Sequence, residues 1–115
     1  MAHGDVVLQD RNFQHLQLID ALSGTNNGVW VDTRNYATGS LDLIISASGT
    51  CQIMGSDEAA KPADASDGRA IGTAITASGI YSITELPAWL KVKVTANTGT
   101  VNVAGVLRPA IRSGQ

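Results

Sequence analysis

Apolar and polar residues alternate with a period of two over most of the chain beyond residue 28. In "GVWVDT" (28–33) Val29, Val31 and Thr33 alternate with Trp30 and Asp32, and in "SLDLIIS" (40–46) Leu41, Leu43 and Ile45 share a face opposite Asp42. Successive side chains of a strand point to opposite faces of its sheet, so this period predicts half-buried strands. "GTCQIMG" (49–55) sets Cys51 and Ile53 against Thr50, Gln52 and Met54. The small residues of "SASG" (46–49) before it predict a hairpin pairing these two strands. "AIGTAITA" (70–77) and "GIYSITE" (79–85), joined at Ser78 and Gly79, predict a second hairpin. "WLKVKVTA" (89–96) places Leu90, Val92 and Val94 on one face and Trp89, Lys91, Lys93 and Thr95 on the other, and "NTG" (97–99) turns it into "TVNVAGVL" (100–107) as a third. Gly105, beside Ala104, interrupts the last alternation and predicts a bulge or bend with a change of pairing.

The first third is less regular. "FQHLQLIDALSG" (13–24) fits a strand from "HLQLI" or a short helix from Leu16, Ile19 and Leu22; its neighbours favour the strand, and Asn26, Asn27 and Gly28 mark a turn. Seven to eight short strands with turns between them and no strongly helical segment predict an all-β, single-domain antiparallel β-sandwich, jelly-roll-like. The expected organisation is an N-terminal arm at 1–12, the sandwich at 13–107 and a C-terminal tail at 108–115. One stretch does not fit this rhythm: "GSDEAAKPADASDGRA" (55–70) is acidic and longer than a usual connection.

A length of 115 residues is enough for one core, and a composition 43% hydrophobic with 12 glycines is that of a globular chain rich in turns. The formal charge of −2 supplies no basic field for phosphates, so direct nucleic-acid binding is not expected. No apolar run reaches membrane-helix length, so no membrane partner is expected. Cys51 is the sole cysteine, which excludes an intrachain disulfide. The start "MAHGDVVLQDRNF" carries Asp5 and Asp10 and lacks a signal-length apolar run, which predicts synthesis in a cytoplasm.

Candidate chemistry is sparse. Asp57, Glu58, Asp64 and Asp67 offer hard oxygen ligands, but their spacing matches no EF-hand, and a solvated surface loop is the better reading. His3 and His15 are too few for a zinc site, so neither metal nor cofactor is expected. No G-x-S-x-G elbow accompanies His15, and Glu85 in "ELPAWL" reads as a strand end with Pro87 breaking the ladder, so no enzymatic activity is expected. Trp30, Trp89, Tyr36 and Tyr81 could stack on sugar rings, but packing in the core or at an interface is the better reading. Both ends carry apolar or basic residues suited to a partner: Val6, Val7 and Leu8 near the start, Arg108 and Arg112 near the end.

The stretch "ASGIYSITELPAWLKVKVTANTGTVNV" (77–103) resembles the C-terminal half of small β-sandwich virion proteins of tailed bacteriophages, in which a G-x-Y strand precedes "LP", an L-x-V-x-V strand and a "TG" turn. "TGSLDLIISASGTCQIMGS" (38–56) is similar to their strand pair ending at "GS". Where many members continue with D-G-x-x-W, this chain has "GSDEAAKPADASDG" instead. The resemblance, over about residues 29–107, implies a non-enzymatic capsid decoration or cement protein. Such a protein sits on the outer capsid surface of the virion, bridges major capsid protein subunits and forms a symmetric oligomer, a trimer before a dimer. On that reading Val6, Val7, Leu8, Arg108 and Arg112 would contact the capsid and Trp89, Lys91 and Lys93 the neighbouring copy. The alternative is a carbohydrate-binding sandwich of a tail or head fibre, used in host adhesion.

Overall fold

The computed structural model describes residues 5–9, 14–64 and 68–109, with residues 5–9 and 21 described by backbone alone. Among the described residues there are nine strands: β1 (Asp5–Gln9), β2 (Gln14–Ser23), β3 (Val31–Asp32), β4 (Thr38–Ile45), β5 (Gly49–Ser56), β6 (Arg69–Ile75), β7 (Gly79–Ile83), β8 (Trp89–Asn97) and β9 (Thr100–Arg108). They form a five-stranded sheet in the order β1-β2-β9-β4-β7 and a four-stranded sheet in the order β3-β8-β5-β6. Every strand pairing is antiparallel. The expected all-β sandwich is present.

The pairs β2·β9, β3·β8, β4·β7 and β5·β6 are nested one inside the next. They describe one long antiparallel ribbon, rolled up so that β4 closes on β9 and β5 on β8. That is the jelly-roll arrangement. Its tip is the connection between β5 and β6, the acidic stretch that stood out in the sequence.

The rolled ribbon overturns the three expected hairpins. β4, β7 and β9 lie in one sheet and β5, β6 and β8 in the other, so the turns at 46–48, 76–78 and 98–99 each cross between sheets. Alternation fixes which face of a strand is buried but not which strand receives its backbone hydrogen bonds. None of these turns contains the Asn-Gly type of signal that enforces a tight hairpin. Backbone and hydroxyl groups instead tie the crossings together: Thr98 N–H donates to the Ser48 carbonyl at 2.8 Å, Thr100 N–H to Ser46 Oγ at 2.8 Å and Ile45 N–H to Ser78 Oγ at 2.8 Å.

The core between the sheets is aliphatic. Leu16, Leu18, Leu41, Leu43, Val101, Val103 and Leu107 of one sheet meet Cys51, Ile53, Leu90, Val92 and Val94 of the other. The expected irregularity at Ala104 and Gly105 lies across the ladder. β9 keeps its alternation and a continuous register with β4, while the shift falls on β2 between Gln17 and Ile19. A Cβ on Gly105 would press on Leu41 Cδ2 at 2.9 Å and Leu18 Cδ1 at 3.2 Å, so close packing accounts for that glycine.

Candidate functional site

The two sheets present different outer faces. On the four-stranded sheet, alternation directs Trp89, Lys91 and Lys93 of β8 and Met54 of β5 away from the core. Trp30, Met54 and Trp89 are nevertheless buried, forming a second cluster outside the sandwich. The cover is the ribbon tip, residues 57–64, folded back across its own sheet.

Each buried polar group in this cluster has an acceptor on the tip. Trp89 Nε1–H donates to the Glu58 carbonyl at 3.0 Å and Trp30 Nε1–H to the Ala63 carbonyl at 2.9 Å. Lys91 Nζ donates to the Asp64 carbonyl at 2.8 Å and lies 4.8 Å from the centre of the Trp30 ring. An indole N–H or an ammonium taken out of water is costly unless bonded, so these bonds fix where the tip settles. Carboxylates complete the fastening: Asp57 Oδ1 accepts from Ala88 N–H at 3.0 Å and Asp64 Oδ1 from Trp30 N–H at 3.3 Å. At the rim Arg34 lies 4.8 Å from the Trp89 ring centre and pairs with Asp32 at 2.7 Å. The Arg34 hydrogen bond holds the Asp32 carboxyl below its ordinary value and raises that of the guanidinium.

Gly68 takes the chain out of the tip at φ +61°, where a Cβ would meet Trp30 Cη2 at 2.8 Å. A left-handed conformation against an indole edge admits glycine alone.

The acidic stretch lies at the surface as expected, exposed at 57–61, 63 and 64, and it also caps its sheet, with Asp57 and Asp64 as hydrogen-bond acceptors. One expectation is corrected. The face of Trp89 and Lys91 is covered by the same chain, Trp89 being 7% and Lys91 0% exposed, so neither offers surface to a neighbouring copy; Lys93, further along β8, is half-buried. Burial likewise removes Trp30 and Trp89 as a sugar-stacking platform. Tyr36 and Tyr81 are half-buried against the core, their hydroxyls donating to Gln14 Oε1 and the Ala77 carbonyl at 2.7 Å each.

The outer face of the five-stranded sheet keeps its apolar groups in solvent. The outward positions include His15 and Gln17 on β2, Asn102, Ala104, Val106 and Arg108 on β9, Ser40, Asp42 and Ile44 on β4, and Ile80 and Ser82 on β7. A shallow depression of about 330 Å³ lies among His15, Gln17, Ser40, Asp42, Ile80 and Val106. Sequence reading missed this face because it followed the residues that alternate inward. The signal was the doublet Ile44-Ile45, one of which had to point outward.

Val6, Val7 and Leu8 lie in β1, at one edge of this sheet, with a register shift between Val6 and Leu8 against β2. Arg108 ends β9, exposed, its Nη1 donating to Ser40 Oγ at 3.2 Å. Arg112, His3 and Asp67 lie outside the described residues. Among the described residues no group of three or more His, Cys, Asp and Glu is close enough to hold a metal ion. Glu85 is exposed, beside a depression of about 420 Å³ shared with Asp57, Arg69 and Pro87.

No family model matches this chain, and no curated protein matches it in sequence. Among solved structures, the crystal structure of the SPBc2 prophage-derived protein YomS is similar, with a TM-score of 0.68 at 14% identity, covering 90% of this chain and 98% of that one. The two proteins share the fold over almost the whole of both chains.

Proposed function

We propose that this chain is a non-enzymatic structural protein of a bacteriophage virion, which decorates the outer capsid surface and cements it by bridging major capsid protein subunits. The observation that carries the reading is the end-to-end likeness in fold to a prophage-derived protein, to which the virion-protein resemblance of residues 29–107 adds independent support. The architecture suits a static role. Its two largest aromatic side chains are used to pin a loop, and its open face offers apolar contact. Several modest contacts on one particle add up through effective concentration, so no deep pocket is needed.

Within this reading the capsid contact falls on the β1 edge and on Arg108, with Arg112 following it in sequence. Among the described residues β1 pairs only with β2, and the roll from β2 to β9 closes without it. An edge strand presents unpaired backbone groups to which a partner can add. Removing residues 1–10 is therefore expected to leave a folded protein that no longer sediments with capsids lacking their own copies of it. Undiminished co-sedimentation of the truncated chain would count against this placement, and failure of the full chain to co-sediment would count against the capsid role itself.

A further inference from the structure

The largest exposed apolar side chains among the described residues are both on the outer face of the five-stranded sheet, Ile80 at 73% and Ile44 at 52% exposure. They flank a carboxylate. Asp42 lies opposite Ile80 on β7 and opposite Ala104 on β9, exposed and with no hydrogen bond or ion pair to another described residue. The same face carries a guanidinium, that of Arg108, drawn over β4 by its bond to Ser40 Oγ. We propose that this face binds a second copy of the same chain across a two-fold axis, with Asp42 of each copy meeting Arg108 of the other.

The argument is one of charge and register. Asp42 faces Ala104, four residues along β9 from Arg108, a spacing of about 13 Å in a strand. The Arg108 guanidinium, held at Ser40, makes no ion pair with Asp42 of its own chain. A second sheet laid on this face with its strands reversed about an axis near Ser40 and Val106 brings the Asp42 row of each copy over the Arg108 row of the other, within reach of an arginine side chain that turns from Ser40 to the carboxylate. Stacking in the same sense sets carboxylate against carboxylate, so the charges select the reversed register. A two-fold contact must be self-complementary, and one acid and one base on either side of a central apolar residue satisfy that condition. His15 of β2 lies opposite Val106, near the axis. Ile80, in the row of Asp42, is covered together with it, and aligned packing of two sheets is an ordinary mode of sheet association.

This contact deepens the self-association of the decoration reading, but it is measured on the isolated chain, so either can fail without the other. Sedimentation equilibrium at low salt is expected to give twice the 11.9 kDa of one chain, with dissociation as salt rises. Asp42→Arg or Arg108→Asp alone should weaken the dimer at least about tenfold, and the double variant should restore it to within about threefold. Ile80→Ser, at a position that adds nothing to the core, should weaken the dimer with the melting temperature unchanged. A monomer at about 100 µM in low salt, a trimer, or a dimer indifferent to the single reversals would overturn the proposal. A double reversal that stays folded and does not recover the dimer would overturn it as well.

Discussion

Trp89 shows how a residue's type can be legible while its neighbours are not. Alternation in "WLKVKVTA" placed it with Lys91 and Lys93 on the outward face, as observed. What covers that face comes from 31 residues away in the case of Glu58, and no local pattern encodes such a contact. Truncating the indole leaves a cavity and an unanswered Glu58 carbonyl, so Trp89→Ala should cost about 3–5 kcal/mol in urea unfolding. Gly28, at φ +80°, faces the Val92 carbonyl with no room for a Cβ, and Gly28→Ala should lower the unfolding free energy by at least about 1 kcal/mol. The turn was read from Asn26-Asn27-Gly28, but the close approach that demands glycine was not.

Two titratable groups give signed pH effects at this same scale. Cys51 is fully buried, and burial pushes its thiol above the ordinary value of 9.0. The stability linked to the neutral thiol is complete below the unfolded value and is lost as pH rises through the folded one. At mildly alkaline pH its alkylation should therefore track global unfolding; rapid labelling in native buffer would contradict the buried placement. Asp32 has the opposite sign. Its carboxyl is held low by Arg34, so the stability it adds is present above the unfolded value and lost as pH falls through the folded one. Both partners are about half exposed, at 52% and 47%, so Asp32→Asn should flatten the acid limb of the stability profile only slightly.

At the scale of elements, strand faces were legible and strand partners were not. Leu41, Leu43, Cys51, Ile53, Leu90, Val92, Val94, Val101 and Val103 all point inward as their spacing requires. The three presumed hairpins are crossings because a turn of small residues permits either path, and the choice is made by the closing of β4 on β9 and β5 on β8. The ribbon tip is the element whose removal is most informative. Replacing residues 56–68 with an Asn-Gly turn, closing on the Gly55–Arg69 pair, keeps β5 and β6 joined and uncovers both indoles. Their fluorescence should move to longer wavelength while the strand signature in circular dichroism persists. Unchanged emission would contradict the capping role.

At the scale of the molecule, the nested pairs join the two ends of the chain first and its middle last in sequence separation, β2 with β9 outermost and β5 with β6 innermost. Long loops must close before such pairs form, so folding is expected on the slow side, about milliseconds to seconds, as stopped-flow fluorescence of the buried indoles would record. The sandwich class was legible because alternation and turns recur through the chain. Its outward role was harder to read, because a surface that binds a partner need carry no pattern beyond a few apolar side chains and a charge or two. Deletion of β1 and reversal of Asp42 probe parts of that surface separately. The proposed role is tested most directly by quantitative mass spectrometry of phage particles purified from lysates of cells that carry the gene for this chain. Virion decoration predicts the chain in fixed, near-stoichiometric proportion to the major capsid protein; its absence from the particles, or its presence at only a handful of copies each, would contradict the account.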